Sequence, residues 1–335
     1  HEGHPAVAFV HTFWREYGGL TSGTPRQDAP ELPHRRGKAP GPGPGGAPAM
    51  TEELEIGPAA MGLVFAAFSW TYALAQVPGV HFVSNSRKAA EAYAEWLGIP
   101  IVRFHVLYNG VPDLATDAAA TDQEKWRAFQ ESTADATETI GGVFRLEPDK
   151  RPQLWIKLAA LYLKQRPQAR FVIVGDGRLH ENIVALAQEL CVMDRLLLVG
   201  LSNHVGYWYS QMDAKVLLSR YEGLPNVLIE AQLLGVPVVS TPAGGAGECF
   251  EEDQTGHLLG DVEHPDLHEA CDKVASIVDR VRADESLRAQ SRHRAQTLFS
   301  LEAMLAKFLS LCMPAMPESE NDESMDMPPM RLMQA

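Results

Sequence analysis

The sequence predicts an α/β protein in which a parallel, doubly wound sheet occupies the second half of the chain. Three observations support this fold class. Short apolar runs and helical segments alternate from Gly141 onward, which is the pattern of repeated strand–helix units. The runs are continuously apolar, as expected for strands covered by helices on both faces. With 335 residues, 45% of them hydrophobic, the chain can bury two cores, so we expect two domains.

The charge balance excludes one class of partner. The chain has 29 Lys and Arg against 43 Asp and Glu, a formal net charge of −14. Binding to a nucleic-acid backbone needs clustered basic residues, so we predict no nucleic-acid partner. The four cysteines, at positions 191, 249, 271 and 312, lie far apart and predict reduced, mostly buried thiols in a cytoplasmic protein.

The first 80 residues lack strand–helix alternation. Residues 1–50 include a run dominated by Gly and Pro at 37–46, which suits neither a helix nor a central strand, so we expect a disordered or irregular segment. Residues 56–80 carry no charge, and their apolar part, 59–77, is long enough to span a bilayer. A buried helix is the preferred interpretation and a membrane segment the alternative, because no basic flank sets a topology.

Regular elements begin at Val80. The predicted elements are, in order, a strand at 80–83, a helix at 88–97, a strand at 106–108 and a linker with some helix at 112–140. The run Ser84-Asn85-Ser86 offers an N-cap for the helix, and Gly98 ends it. Asn109-Gly110 is a turn signal after the second strand.

The second half supplies four predicted strand–helix units, a strand that closes the series and a later helix at 301–311. The strands are expected at 142–144, 171–174, 196–199, 215–218 and 237–240, and the helices at 152–164, 181–190, 205–211, 227–234 and 301–311. Ligands of such sheets bind at the carboxyl ends of the strands, so binding residues are expected in the loops that follow them. The tail at 314–335, rich in Met, Pro and acidic residues, is expected to be disordered.

The most informative motif follows the fourth strand of this series, at 219–231. It reads Ser-Arg-Tyr-Glu-Gly-Leu-Pro-Asn-Val-Leu-Ile-Glu-Ala and places Glu222 in a loop and Glu230 about one turn into a helix. The free N–H groups at the start of a helix suit a diphosphate, and the two carboxylates can accept hydrogen bonds from sugar hydroxyls. The structural alternative is a helix start with an acidic residue placed favourably against the dipole.

A second charged loop follows the first strand of the series, at 144–152. Arg145 and Lys150 flank it. Two cations facing a helix N-terminus can hold a diphosphate and offset the charge that develops on it. A solvated charged loop is the alternative.

Together these motifs resemble the signature of the retaining glycosyltransferase family 4, the group 1 glycosyltransferases. The resemblance covers about residues 80–312. It implies the GT-B fold, two Rossmann-like domains with a cleft between them. It also implies metal-independent, retaining transfer of a sugar from a nucleotide-sugar donor to a glycan or lipid-linked acceptor, in polysaccharide or glycoconjugate biosynthesis. The nucleotide sugar is then a substrate, and no cofactor is expected.

The family's roles can be carried over by position. Arg145, Lys150 and Glu222 are implied to be catalytic; Glu222 also contacts the donor sugar, and Glu230 contacts the ribose. The implied donor-binding residues are Gly175, Gly200, Asn203, Val205, Glu222, Gly223, Leu224, Pro225, Asn226, Val227 and Glu230. Glu248, in a Gly-Gly-x-x-Glu loop, has either a structural role or a donor contact. Phe144 stands where the family usually has Gly before the Arg.

The resemblance also assigns the domains. Residues 51–111 would be the remnant of an acceptor-side domain, 141–297 the donor-binding domain, and 298–313 a helix that crosses back to the first domain. The N-terminal domain looks incomplete, because the match fails before residue 80. A cytoplasmic protein is implied, with a peripheral position at the inner face of a membrane left open.

Two other function classes stay open at this point. An incomplete first domain suits a catalytically impaired nucleotide-sugar-binding module. Gly175 and Gly177 suggest a dinucleotide fingerprint and an NAD-dependent oxidoreductase, but His180 stands where the third glycine belongs. No metal site is predicted: Asp-x-Asp is missing, and His264 and His268 without further ligands indicate a solvated helix start.

Overall fold

A computed structural model describes residues 80–312, together with the strand Val7–Phe9 and the single positions 73 and 77. The predictions for 59–77 and for the tail at 314–335 therefore lie outside the described residues, apart from those two positions. The strand Val7–Phe9 lies within the segment 1–50, for which irregular structure was expected. The apolar run that contains this strand, residues 6–10, is short and isolated, and by itself it does not predict a strand.

The structure describes nine strands. It also describes nine helices, if the 3-10 helices of three residues are left out. The strands are β1 (Val7–Phe9), β2 (His81–Ser84), β3 (Phe104–Val106), β4 (Glu138–Val143), β5 (Ala169–Val174), β6 (Leu196–Gly200), β7 (Ala214–Leu217), β8 (Val238–Ser240) and β9 (Gly256–Leu258). The helices are α1 (Arg87–Leu97), α2 (Ala120–Ser132), α3 (Pro152–Gln165), α4 (His180–Glu189), α5 (Val205–Ser210), α6 (Asn226–Leu233), α7 (Leu267–Ala283), α8 (Ser286–Phe299) and α9 (Leu301–Cys312).

The first sheet is small and parallel. Its strand order among the described residues is β1-β2-β3. Helix α1 packs on it and begins as the sequence predicts, because the Ser86 hydroxyl accepts a hydrogen bond from the Ala89 N–H. The helix ends at Gly98, whose φ of 62° is a left-handed conformation that glycine adopts without strain.

The second sheet contains six parallel strands in the order β6-β5-β4-β7-β8-β9. The chain runs outward from β4 to β6, then returns to the other side of β4 and runs outward again. The order therefore reverses between β4 and β7, and the loops that follow these two strands diverge. In doubly wound sheets this switch point opens a crevice at the carboxyl edge, where ligands bind. The predicted α/β class is confirmed.

Most of the core belongs to the second sheet. Trp155 on α3 is fully buried and packs edge-on against Phe171 of β5, with the ring centroids 5.9 Å apart. Strand β4 begins at Glu138, four residues before the predicted strand, because the buried Glu138 carboxylate has cationic partners: Arg282 lies 3.5 Å away and Arg166 3.9 Å. A paired carboxylate can be buried in a strand that looks polar in sequence.

Residues 112–140, expected to be a linker with some helix, contribute to this core. Trp126 and Phe129 of α2 are buried against it, and the Arg170 guanidinium lies 4.6 Å from the centroid of the Trp126 ring. The strand predicted at 106–108 begins instead at Phe104. Strand β9 was not predicted, because its sequence is Gly-His-Leu and contains no apolar run.

Helix α9 begins beside the segment that follows β3. The Val111 N–H donates to the Phe299 carbonyl oxygen at 2.7 Å, and Tyr108 contacts the Phe299 ring edge-on at 5.1 Å. This contact returns the end of the chain toward the first sheet. Within residues 80–312, no helix has the combination of length and apolarity needed to cross a bilayer.

Candidate functional site

Two loops that the sequence singled out meet at the switch point between β4 and β7. The Lys150 ammonium, on the loop after β4, lies 2.7 Å from Glu222 Oε1 on the loop after β7. Both side chains are mostly buried, with 15% and 12% of their surface exposed. Asp149 Oδ2 lies 3.6 Å from the same ammonium. The charges of the two motifs therefore form one cluster at the carboxyl edge of the sheet.

Glu230 lies in the second turn of α6 and is held by Tyr209. The Tyr209 hydroxyl donates to Glu230 Oε2 at 3.0 Å and lies 2.9 Å from the Val227 carbonyl oxygen. Burial raises the pKa of Glu230 and raises the pKa of Tyr209 well above its usual value. Tyr209 therefore stays protonated, and its hydroxyl orients the Glu230 carboxylate.

Sequence reasoning missed Lys215, which lies below this edge in the middle of β7. Its side chain is fully buried, and its amine has no hydrogen-bond partner. Burial lowers its pKa to about 7, against the opposing influence of the Glu230 and Glu222 carboxylates. The signal in the sequence was one lysine inside the apolar run of a central strand, where both faces are covered.

The glycine loop after β8 packs against the loop that carries Glu222. A Cβ on Gly244, whose φ is +52°, would lie 1.9 Å from the Glu222 carbonyl oxygen. The Gly245 N–H donates to the Gly223 carbonyl oxygen at 2.7 Å. The backbones of the two loops approach so closely that no side chain fits between them, and this contact sets the position of Glu222.

The Gly-Asp-Gly turn after β5 has a similar packing role. Gly175 has a φ of +137°, and a Cβ there would lie 2.0 Å from the Phe144 carbonyl oxygen. A Cβ on Gly177 would lie 2.8 Å from the Leu146 carbonyl oxygen. The two glycines therefore bring this turn against the loop that carries Arg145, which is itself exposed at the start of that loop.

The loop between β6 and α5 holds three of the predicted donor-binding residues. Gly200 has a φ of +79° and open space around its Cα, Asn203 is exposed, and Val205 begins α5. Ser202 holds the loop in place, since its Oγ lies 2.8 Å from Asp122 Oδ2 and accepts a hydrogen bond from the His204 N–H at 3.0 Å.

The remaining predicted residues surround the start of α6. Leu224 and Pro225 are buried, while Gly223 and Asn226 are exposed at the edge of the crevice. The Asn109 amide donates to Asn226 Oδ1 at 2.6 Å, which links the turn after β3 to α6. Val227 contributes its carbonyl oxygen to the Tyr209 hydroxyl.

Glu248, for which two roles were open, has a structural one. Its carboxylate accepts hydrogen bonds from the Arg87 N–H at 2.9 Å and the Lys88 N–H at 3.0 Å, the first free donors of α1. The Tyr108 hydroxyl donates to the same group at 3.0 Å. A negative charge at a helix N-terminus is favourable, so Glu248 of the second sheet's glycine loop caps the helix of the first sheet.

One group of three potential metal ligands occurs in the described part of the chain, comprising Glu252, Asp253 and His257. These residues precede or begin β9, so they lie at the amino edge of the parallel sheet, opposite the crevice. His264 and His268 are not part of the group. The Asp266 side chain accepts hydrogen bonds at the start of α7, including one from the His268 N–H at 2.8 Å, which makes this histidine segment a capped helix start.

Comparison with known proteins identifies the family. Residues 122–294, just over half of the chain, match the family described as "Glycosyl transferases group 1". The Salmonella typhi Vi polysaccharide biosynthesis protein VipC/TviE is 45% identical over 238 residues, which are 71% of this chain and 41% of that protein. An Escherichia coli UDP-Gal:alpha-D-GlcNAc-diphosphoundecaprenol alpha-1,3-galactosyltransferase is 32% identical over 212 residues, 55% of this chain and 54% of that protein.

The fold agrees with that family. The crystal structure of Anabaena HepE in complex with UDP matches with a TM-score of 0.57 at 23% identity, over 69% of this chain and 63% of that one. The GT-B fold class is confirmed, whereas the oxidoreductase alternative receives no support. The chain spans about two fifths of the length of VipC/TviE and about half of the galactosyltransferase. By the match over residues 122–294, the chain belongs to the group 1 glycosyl transferases.

Proposed function

We propose that this chain binds a nucleotide sugar in the crevice between β4 and β7 and that the whole protein transfers the sugar to a glycan or lipid-linked acceptor. We further propose that the transfer retains the anomeric configuration and uses neither a metal ion nor a cofactor. Polysaccharide or glycoconjugate biosynthesis is the process that fits the relatives' names. A cytoplasmic protein, peripheral at the inner membrane face, suits a lipid-linked acceptor of the kind that the Escherichia coli relative is named for.

The observation that carries this proposal is the meeting of two motifs, 72 residues apart, in one cluster. Lys150 and Glu222 are in contact, and Glu230 is held by Tyr209 at the start of the adjacent helix. A cation and free helix N–H groups suit the diphosphate, while carboxylates suit sugar and ribose hydroxyls. The site thus offers one group for each part of a nucleotide sugar.

In the proposed reaction the bond between the sugar's anomeric carbon and the diphosphate oxygen breaks, the acceptor hydroxyl oxygen bonds to that carbon, and the hydroxyl proton passes to the departing diphosphate. Negative charge accumulates on the departing diphosphate. Arg145, Lys150 and the N-terminus of α6 would stabilise that charge, which is the work that a divalent cation performs in metal-dependent transferases. Glu222 would hold the sugar and Glu230 the ribose. Backbone groups of the loop from Gly200 to Val205 would hold the base.

A second candidate is a nucleotide-sugar-binding module with impaired catalysis. It is favoured by the sequence pattern before Val80, in which apolar runs and helical segments do not alternate as they do after Gly141. The donor-binding sheet is present with six strands, whereas three strands of the first sheet are described.

Calorimetry with UDP-glucose, GDP-mannose and NAD, each with and without EDTA, tests donor binding. We expect binding of one nucleotide sugar, unchanged by EDTA. Binding of NAD alone would overturn the proposal, and binding lost on chelation and restored by Mn²⁺ would overturn metal independence. Retention is tested separately, by determining the anomeric configuration of a transferred product by NMR.

A further inference from the structure

Lys215 stands out among the buried polar groups of the described chain. It is in the middle of the central strand β7, its side chain has no exposed surface, and its amine has no hydrogen-bond partner. An isolated charge in such a place is strongly destabilising, and a neutral amine without a partner also loses its hydrogen bonds to water. Packing alone would favour an apolar side chain there, so the amine calls for a functional explanation.

The groups that act on Lys215 are those of the candidate donor site. Glu230 of α6, Glu222 of the loop after β7 and Lys150 of the loop after β4 act on the amine electrostatically, as does the Cys249 thiol of the turn after β8. Burial raises the pKa of Cys249, so the thiol carries no charge. The neighbours that act on the amine are thus two carboxyl groups, one lysine ammonium and an uncharged thiol.

We propose that Lys215 is a charge-compensating residue of the donor site, whose buried amine holds a proton when the diphosphate of a nucleotide sugar is bound beside Lys150. This inference rests on the proposed donor-binding function and deepens it. The diphosphate adds two negative charges to a cluster that already has two carboxylates. A proton on the buried amine offsets part of that charge where water cannot.

The proposal fixes the direction in which affinity for the nucleotide sugar changes with pH. The pKa of Lys215 is lowered to about 7 in the free protein, and the added negative charge raises it in the complex. Above pH 7 binding must therefore take up a proton, so affinity weakens as pH rises between the two pKa values. Glu230 acts in the opposite sense: its pKa is raised, and its protonation at low pH would weaken binding as pH falls. The direction of the dependence separates the two groups.

The first test compares the wild-type chain with Lys215→Met, which keeps the chain length and removes the amine. Affinity for UDP-glucose, or for GDP-mannose if that is the donor bound, is measured by calorimetry from about pH 7 to about pH 8.5. A nucleotide sugar is chosen because both of its phosphates are diesters and do not titrate in this range. We expect the dissociation constant of the wild-type chain to rise roughly 5–10-fold per pH unit and that of Lys215→Met to change less than about 2-fold. Lys164→Met, on the exposed face of α3, is the control for a lost positive charge and should keep the wild-type slope.

The second test needs no variant. The wild-type binding enthalpy is measured near pH 8 in two buffers of different ionisation enthalpy, which gives the number of protons taken up. We expect an uptake approaching one proton per donor bound. If the wild-type chain binds no nucleotide sugar, the proposed function fails. If it binds with a pH-independent affinity and no proton uptake, or if Lys215→Met keeps the full slope, donor binding stands and the role of Lys215 is wrong.

Discussion

Lys150 and Glu222 neutralise each other in the free protein across 2.7 Å. Each side chain is mostly buried, so removing one would leave the other charge without its partner, and a lost buried partner costs more than a surface pair contributes. The same two groups are the ones that a diphosphate and a sugar would engage. In the proposed function, donor binding would redistribute an existing ion pair, and a change at either residue would alter both binding and local stability.

Glu230→Gln tests the ribose contact with little change in size. We expect affinity for the nucleoside diphosphate to fall by about 1.5–3 kcal/mol, since a charged acceptor is lost. Glu222→Gln should weaken binding of the nucleotide sugar more than binding of the bare nucleoside diphosphate. Calorimetry with both ligands measures the difference. Glu181→Gln, on the exposed side of α4, is the control; wild-type affinity in the Glu230 variant would contradict the ribose assignment.

Lys215→Met should stabilise the fold in a pH-dependent manner. The pKa of Lys215 is about 7 in the folded chain, against 10.5 for a free lysine, so between these values the unfolded chain holds a proton that the folded chain does not. The contribution of Lys215 to the free energy of unfolding is therefore lowest below pH 7 and rises towards pH 10.5. We expect the variant to be more stable by on the order of 2–4 kcal/mol at pH 7, with the difference shrinking by about pH 9.5. Urea unfolding of the variant and the wild type at both pH values checks this expectation. The same difference in the free energy of unfolding at both pH values would contradict it.

At the scale of elements, the glycine loop after β8 and the Glu248 carboxylate connect the candidate site to both sheets. The loop at Gly244 contacts the backbone of the Glu222 loop, and Glu248 at its far end caps α1 of the other sheet. The same short segment after β8 therefore positions the loop that carries Glu222 and links the second sheet to the helix of the first.

Gly244→Ala should damage the donor site more than the fold. The new Cβ would be 1.9 Å from the Glu222 carbonyl oxygen, and the φ of +52° disfavours any side chain. We expect a loss of stability of about 1–3 kcal/mol and at least a ten-fold loss of nucleotide-sugar affinity, which calorimetry and urea unfolding measure. Gly260→Ala is the matched control, because the nearest atom to its new Cβ is 3.7 Å away. Wild-type donor affinity in Gly244→Ala would show that the loop contact does not position Glu222.

Glu248→Ala should loosen α1 and leave donor binding in place. The first N–H groups of the helix lose their acceptor, which costs about 1–2 kcal/mol. Hydrogen exchange of the amides at Arg87 and Lys88 should accelerate, while nucleotide-sugar affinity should stay within about two-fold of wild type. A large loss of affinity with unchanged exchange would instead favour the donor contact that the sequence had left open.

At the scale of the whole molecule, the described parts of the two sheets differ in extent. The second has six parallel strands with the reversal of order that opens a crevice, and the first has three among the described residues. A domain keeps its own core, so the proposed donor binding would depend mainly on the second sheet. Acceptor binding and transfer would depend on what faces that sheet.

We therefore expect this chain to bind a nucleotide sugar yet transfer the sugar slowly or not at all. The physical reason is that residues before Val80 lack the strand–helix alternation of an acceptor-side domain. A transfer assay with a lipid-linked glycan acceptor, run beside calorimetry on the same sample, checks both halves of the statement. Rapid transfer by this chain would show that the N-terminal residues build an acceptor site.

The sequence alone predicted five of the six strands of the second sheet and the charged loops that follow two of them. Apolar runs and helical periodicity are local, so strands β4 to β8 were recognisable, and family resemblance picked out Lys150, Glu222 and Glu230. Strand β9 and the start of β4 lack a local signal: β9 is Gly-His-Leu, and β4 begins with a glutamate that arginines 28 and 144 positions away neutralise. A charged residue can be buried in a strand when residues distant in sequence supply the opposite charge.

Only the tertiary structure decided which of these groups meet. The contact of Lys150 with Glu222 requires β4 to lie beside β7, and strand order results from packing of the whole sheet rather than from any local pattern. The same packing places Lys215 under the two carboxylates and carries Glu248 to the N-terminus of α1, 160 residues away in sequence. Charge and chemistry are properties of single residues, whereas the distances that turn them into a site depend on the complete fold.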